Sequence, residues 1–597
     1  MEWTVITLQV NNRPIEAQPG EMLLTALRRA GIHVPTLCNL EQLTPTGACR
    51  LCVVEVEGQR NLVPSCAFPV ASGMKVWTHS PRALRARKTI VELLLANHPD
   101  DCLYCVRNNN CRLQELAAEL GVRQRRYFGT RRQYHADTSS ASIVRDPAKC
   151  ILCGKCVRVC EEIQGVAAID FIHRGSRAHV GTAFDQGLNV SSCINCGQCV
   201  MACPTGALTE QSHIKEVVEA LNHRLRAAAP RDRGAPHEGR AARGGPLVVV
   251  QHAPAVSVTI AEELGLRPGA DAAGILNAML RRLGFDRVFD TSFSADLTVM
   301  EEAAELVHRI RTGGPLPLLT SCSPGWIKYV EEFHPDFVGN LSTCKSPQQM
   351  LGALIKSYLA EREGRDAVDI YSVAVMPCTA KKFEAGRPEL ARHGLPDVDA
   401  VLTTRELLRL IRLRGLDPAR VDPEPADSPF GERSSAGKLF GATGGVAEAA
   451  LRTAHFLLTG QELPATRLKA VRGLDAVKQA TVPIGELEIH VAVVSGLANA
   501  GRLLDEIRAD RRHLHFVEVM TCPGGCIAGG GQPLGTDRAA LRSRLDALYR
   551  IDRDAPLRAA HRNPMVQRLY EEFLGEPLSA RSHELLHTQY HAREVVH

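Results

Sequence analysis

The chain has 597 residues, 45% of them hydrophobic and 23% charged, with a net charge of +5. That length exceeds a single core and requires several domains. The mild positive charge lacks the aromatic-interleaved basic stripe of a nucleic-acid binder, and no apolar run reaches the roughly 18 residues of a membrane span. Twenty cysteines are present, and Met1 to Val10 read as a strand instead of a signal peptide. Both features point to a cytoplasmic, reducing setting in which thiols bind metal and do not form disulfides.

Fifteen of the cysteines fall in the first 203 residues. Residues 1–80 open with two strand-like stretches, Thr4–Val10 and Pro14–Gln18, around an Asn11-Asn12 turn. A helical run from Met22 to Ala30 and a strand at Val53–Glu57 follow. This α+β pattern carries Cys38, Cys49, Cys52 and Cys66 and is compatible with a plant-type [2Fe–2S] ferredoxin-like domain, although its outer spacings differ from C-x4-C-x2-C. Residues 81–140 predict a small helical domain with His98, Cys102, Cys105 and Cys111, which can fill the corners of a [4Fe–4S] cluster or bind zinc. Its Arg123, Arg125, Arg126, Arg131 and Arg132 read as a solvated patch, or as a dock for an acidic electron carrier.

Residues 141–223 contain two C-x2-C-x2-C-x3-C runs, the signature of a bacterial two-[4Fe–4S] ferredoxin-like domain. The fourth cysteine of each run serves the other cluster. Cys150, Cys153, Cys156 and Cys203 therefore make one site, and Cys193, Cys196, Cys199 and Cys160 the second. Gly154 and Gly197 are expected to let backbone approach the sulphurs.

Residues 224–246, rich in Gly, Pro and Arg, read as a linker. Residues 247–537 alternate strands and helices, as in an α/β domain. Strands are expected at Leu247–Gln251, Leu316–Thr320, Ile370–Met376, Ala400–Thr403, His490–Ser495 and His515–Met520. Helices are expected at Ala272–Leu283, Met300–Arg311, Gln348–Arg362, Thr404–Arg414, Val446–Leu458 and Asn499–Ala509. Residues 538–597 read as a helical wrap.

Three of the strands run into cysteine loops: T-S-C-S-P-G-W from Thr320, M-P-C-T-A-K-K-F-E from Met376, and E-V-M-T-C-P-G-G-C-I-A-G-G-G-Q-P from Glu518. Strand ends of this kind converge on ligand sites in α/β folds. These motifs, the order of cluster sites before them and S-H-E-L-L-H at Ser582 to His587 resemble the [FeFe]-hydrogenases, in the long form with four accessory clusters. The resemblance covers nearly the whole chain. It implies reversible 2H⁺ + 2e⁻ ⇌ H₂ at an H-cluster, a [4Fe–4S] cubane joined to a diiron azadithiolate unit with CO and CN⁻. It implies one [2Fe–2S] and three accessory [4Fe–4S] clusters, ferredoxin or a flavin- or NAD(P)-binding partner subunit, and maturation proteins for the diiron unit.

By the same matching, Cys378 and Cys522 hold the cubane, and Cys526 bridges to the diiron unit. Lys381, Ser346 and Gln348 meet the diatomic ligands, and Met376 and Met520 pack against the metal. Cys322, Glu302, Ser342, Glu305 and Arg309 carry protons. Gly524, Gly525 and Gly529–Gly531 are expected to leave space beside the cluster. The chain departs from the family at Ser323, where a cubane cysteine is usual. Ser323, Cys322 or the extra thiol Cys344 is left as the fourth ligand. An H-cluster sensor and a non-hydrogenase electron-transfer or assembly relative are the alternative readings.

Overall fold

The computed structural model describes residues 5–128, 131, 134–228, 245–485 and 487–595. Its N-terminal unit is a five-stranded mixed sheet in the order Arg13–Ala17, Ile6–Val10, Lys75–Trp77, Val53–Val56, Val63–Pro64. Asn11 and Asn12 both take positive φ, 50° and 64°, which closes the first hairpin with the twist its strands need. Leu23, Leu24, Ala26 and Leu27 of the helix Leu23–Arg29 are buried in this unit's core with Val10 and Val54.

The helices Pro81–Asn97 and Arg112–Glu119 form the next unit. Its basic patch is solvated at Arg123, as expected, and partly paired. Arg125 and Arg131 bind Asp100 at 2.5 and 3.0 Å, and Arg126 binds Glu92. Arg132 lies outside the described residues.

In the two-run unit, short helices Lys155–Arg158 and Gln198–Ala202 each start from a glycine, Gly154 or Gly197, at φ +68°. The glycines serve this left-handed step into the helix. A further helix, Ile214–Ala228, takes up the first five residues expected in the linker, and 229–244 lie outside the described residues.

The large domain holds two four-stranded sheets. The first, in the order Arg287–Asp290, Leu247–His252, Ile370–Met376, Ala400–Thr403, is parallel throughout. Its strand Leu247–His252 is buried at every residue, as a central parallel strand between helical layers must be. In the second, Leu318–Leu319, Phe516–Met520 and Leu487–Ser495 run parallel, and Val477–Ile484 adds an antiparallel edge. The strand expected at Leu316–Thr320 shrinks to two residues; Pro317 has no amide hydrogen to give a ladder. The helix expected at Met300–Arg311 runs from Ser292 to Thr312.

The C-terminal segment is more than a wrap. Val566, Leu569, Leu574, Leu585 and Leu586 complete the same buried cluster as Phe289, Phe293 and Leu351. No helix among the described residues is long and apolar enough to cross a membrane.

Candidate active site

The accessory cysteines gather in groups. The thiols of Cys38 and Cys49, Cys38 and Cys66, and Cys52 and Cys66 stand in mutual hydrogen-bonding contact. His98 ends the helix Pro81–Asn97, buried, with its Nδ1 lacking a partner. In the loop beyond, burial raises the thiols of Cys102 and Cys111, and the nearby Cys105 adds to both shifts. Cys150, Cys153, Cys156 and Cys203 line one cavity, and Cys160, Cys193, Cys196 and Cys199 line the next. Burial pushes the thiols of Cys150 up to about 11 and of Cys153 and Cys160 to about 12, so metal must displace protons to bind. Among the described residues no three Cys, His, Asp or Glu side chains converge at single-ion spacing. These groups suit the wider footprint of a polynuclear cluster.

Beyond Cys196 lies a further cavity, lined by Cys322, Ser323, Gln348, Met376, Cys378, Lys381, Met520, Cys522 and Cys526. Its thiols come from the carboxyl ends of strands in both sheets: Cys378 follows Ile370–Met376, and Cys522 and Cys526 follow Phe516–Met520. Burial raises the Cys526 thiol to about 12, with the charge of Cys378 adding to the effect. Lys381 Nζ sits 3.2 Å from the carbonyl of Cys322 and 2.9 Å from Glu384 Oε2. Glu384 is a residue that sequence reasoning left without a role. It also accepts from Ser346 Oγ at 2.9 Å and Gln348 Nε2 at 3.1 Å, so it anchors all three polar groups. Its i,i+3 spacing from Lys381 was the available signal. Ser346 points to Glu384 and is not among the cavity's lining residues. Gln348 Oε1 is buried without a partner. Convergent thiols and a lysine fit an anionic, sulphur-ligated metal group.

The glycine run serves a second end beside the one expected. A Cβ on Gly529, Gly530 or Gly531 would strike the backbone of Pro377, Cys196 or Cys378. These glycines let one loop seat on its neighbours, and Gly525 and Gly529 also line the cavity, as expected of residues that leave it space. Glu518, which opens the last motif, accepts from the amides of Gly444 and Ala447 at 2.6 and 2.8 Å and so caps the helix Gly445–Thr459.

Two thiols outside the cysteine trio take distinct places. Cys322 lines the cavity, and its thiol is raised by burial first, then by the nearby Glu302 and Cys526. Cys344 is fully buried outside the cavity lining, with its Sγ 3.9 Å from Glu305 Oε2. From Cys322 a line of polar groups leads outward. Neither buried Glu302 oxygen has a partner at full hydrogen-bond geometry, and burial, helped by Glu305, pushes this carboxyl up to about 8 against the weaker pull of the nearby Ser342 hydroxyl and Ser321 amide. Ser342 Oγ donates to Glu305 Oε2 at 2.8 Å, and Glu305 Oε1 pairs with Arg309 at 2.6 Å.

Known proteins share this layout. Residues 247–530 match the iron only hydrogenase large subunit, C-terminal domain, and 538–593 the iron hydrogenase small subunit. Ahead of these, 4–81 match a 2Fe-2S iron-sulfur cluster binding domain, 87–126 the NADH-ubiquinone oxidoreductase-G iron-sulfur binding region, and 149–207 a 4Fe-4S dicluster domain. The chain is 46% identical over 603 residues to the NADP-reducing hydrogenase subunit HndD of Solidesulfovibrio fructosivorans, a match covering 99% of this chain and 100% of that protein. It is 36% identical over 591 residues to Iron hydrogenase 1 of Clostridium pasteurianum, covering 98% and 99%. Apo [FeFe]-hydrogenase HydA1 from Chlamydomonas reinhardtii superposes with a TM-score of 0.56 at 42% identity, over 64% of this chain and 100% of that one. With likeness of this extent in domain order, sequence and fold, the chain belongs to the iron-only, or [FeFe]-, hydrogenase family and is an oxidoreductase acting on hydrogen, fed by a relay of iron–sulphur domains.

Proposed function

We propose that the cavity of Cys322, Cys378, Cys522 and Cys526 is where two protons and two electrons interconvert with H₂. The observation that carries this is the convergence of those thiols with Lys381 on a cavity whose wall includes Cys196 of the neighbouring cluster site. When bound, a [4Fe–4S] cubane and a diiron azadithiolate unit with CO and CN⁻ supply the redox chemistry. Cys378 and Cys522 would hold the cubane, and Cys526 would hold the group on the side of the diiron unit. Lys381, oriented by Glu384, would donate to a cyanide, Gln348 would flank the diatomic ligands, and Met376 and Met520 would form an apolar, water-excluding wall. Cys344 is too deeply placed beside Glu305 to serve the cubane. Ser323 lines the cavity, with its hydroxyl 2.8 Å from Thr521 Oγ1, and would take the fourth corner. Cys322 is then free to pass protons to and from Glu302, Ser342, Glu305 and Arg309.

The accessory groups fit one [2Fe–2S] and three [4Fe–4S] clusters. They sit in a plant-type ferredoxin-like domain (1–80), a His/Cys3 domain (81–140) and a two-cluster ferredoxin-like domain (141–223), ahead of the catalytic α/β domain (247–537) and the small-subunit-like segment (538–597). Electrons pass through them to or from ferredoxin or a flavin- or NAD(P)-binding subunit in the cytoplasm, in keeping with the name of the HndD relative. Maturation proteins deliver the diiron unit. The sensor and assembly readings are disfavoured by likeness to hydrogenases over nearly the whole chain. Infrared spectroscopy of the matured protein tests the proposal. Bands of metal-bound CO and CN⁻ are expected, and their absence after full maturation would remove it.

A further inference from the structure

Gln198 lies between Cys196 and Cys199 in sequence, yet its side chain serves two sites. It lines the cavity of Cys160, Cys193, Cys196 and Cys199. It also reaches into the catalytic domain, where its Nε2 donates to Cys522 Sγ at 3.1 Å and to the carbonyl of Ala528 at 3.2 Å. A primary amide has two hydrogens, and both are used here. A flipped amide would set Oε1 against a sulphur and a carbonyl, two acceptors, so the chemistry of the partners selects the donor orientation.

The surrounding packing holds this reach rigid. Thr379 Oγ1 donates to the carbonyl of Asn195 at 2.7 Å, and Gln164 Nε2 donates to the carbonyl of Thr521 at 3.1 Å. A Cβ on Gly197 would strike the Thr379 side chain, and one on Gly530 would strike the carbonyl of Cys196. The loop of one cysteine group is thereby locked on the loops that carry Cys378 and Cys522.

We propose that Gln198 is a positioning residue that sets the reduction potential of the centre ligated by Cys522, acting from the loop of the adjacent cluster. The inference rests on the reading of Cys522 as a cubane ligand. Each electron added to a cluster increases the negative charge on its sulphurs, and an N–H aimed at one of them stabilises that state. A hydrogen bond to a charged partner is worth enough to change a redox ratio about tenfold. Gln198 therefore draws electrons toward the catalytic cubane and away from the relay that delivers them.

The test is an infrared-monitored redox titration of matured, full-length Gln198→Leu beside the natural protein. The CO and CN⁻ bands report the cubane's oxidation state. At a fixed potential the variant is expected to show about a tenfold higher oxidised-to-reduced ratio, with full iron content and the same band pattern. An unchanged ratio in the iron-replete variant overturns the inference. Should the variant fail to mature, the natural protein labelled with ¹⁵N in its glutamine side chains decides. Pulsed EPR of its reduced cubane should show a glutamine nitrogen coupling, and the lack of one overturns the inference equally. If the natural protein shows no CO or CN⁻ bands, the hydrogen-converting reading fails instead, so the two failures are distinct.

Discussion

Glu302 is the residue whose environment says most about its task. A carboxyl with both oxygens buried and short of full hydrogen-bond geometry is costly to ionise, and its value of about 8 keeps it protonated at neutral pH. The folded protein then binds one more proton than the unfolded chain between the ordinary carboxylate range and about pH 8, so this group's contribution to stability falls as pH rises through that window. Turnover is expected to fall above pH 8 as Glu302 ionises and a relay in the acid form is lost. Glu302→Gln should lower turnover at least about 100-fold and flatten the stability slope between pH 6 and 8. A pH–rate profile with parallel urea unfolding checks both; full turnover in the variant would take Glu302 off the path. The cysteine groups were legible because their spacing states their chemistry. Gln198 was not, since it acts on Cys522, 324 residues away, and the i,i+3 spacing of Glu384 from Lys381 announces only one of its partners, with Ser346 lying 38 residues off.

The helix Ser292–Thr312 shows why element boundaries escaped the sequence. Its first turns carry Ser292, Ser294 and Asp296, residues that usually mark loops. Here all three are buried and satisfied, Asp296 by the amide and hydroxyl of Ser434 and by Asn563. Tertiary partners overrode local preference. The strand Arg287–Asp290 was missed because four residues bounded by charges give no periodic signal. Farther along the same helix, Glu301 is clamped by the C-terminal segment. Tyr570 OH donates at 2.6 Å and the amide of Leu578 at 2.8 Å, Ser582 Oγ bonds as well, and His587 Nε2 stands 3.1 Å away. Burial alone would raise this carboxyl, but those hydrogen bonds outweigh it and hold Glu301 below its usual range. Glu301→Ala strands several buried donors at once and is expected to cost about 3 kcal/mol. Urea unfolding would register the loss, and limited proteolysis would show the segment after residue 564 loosened. A variant as stable as the natural protein would mean the clamp is dispensable.

Across the molecule, the relay and the catalytic domain share a core: Val166, Ala168 and Ile194 of the two-run unit pack with Trp326, Val494 and Leu497. The parallel α/β layout and the positions of the cysteine loops at strand ends could be read from alternation of elements. The seating of one unit on the other could not, because it depends on glycines whose neighbours are set only by tertiary structure. Gly530→Ala would press a methyl group on the carbonyl of Cys196 and pry the two units apart. H₂/D₂O exchange, which needs no outside electron acceptor, should persist in that variant while reduction of ferredoxin by H₂ drops several-fold. An equal loss of both would show damage to the catalytic cavity itself. The C-terminal clamp also bears on how the chain is made. A ribosome releases Glu301 into the nascent fold long before it has synthesised Tyr570, Ser582 and His587. Until that later segment is translated, the helix Ser292–Thr312 lacks its counterparts, so Glu301 waits, buried partners missing, for a part of the chain about 270 residues downstream to dock.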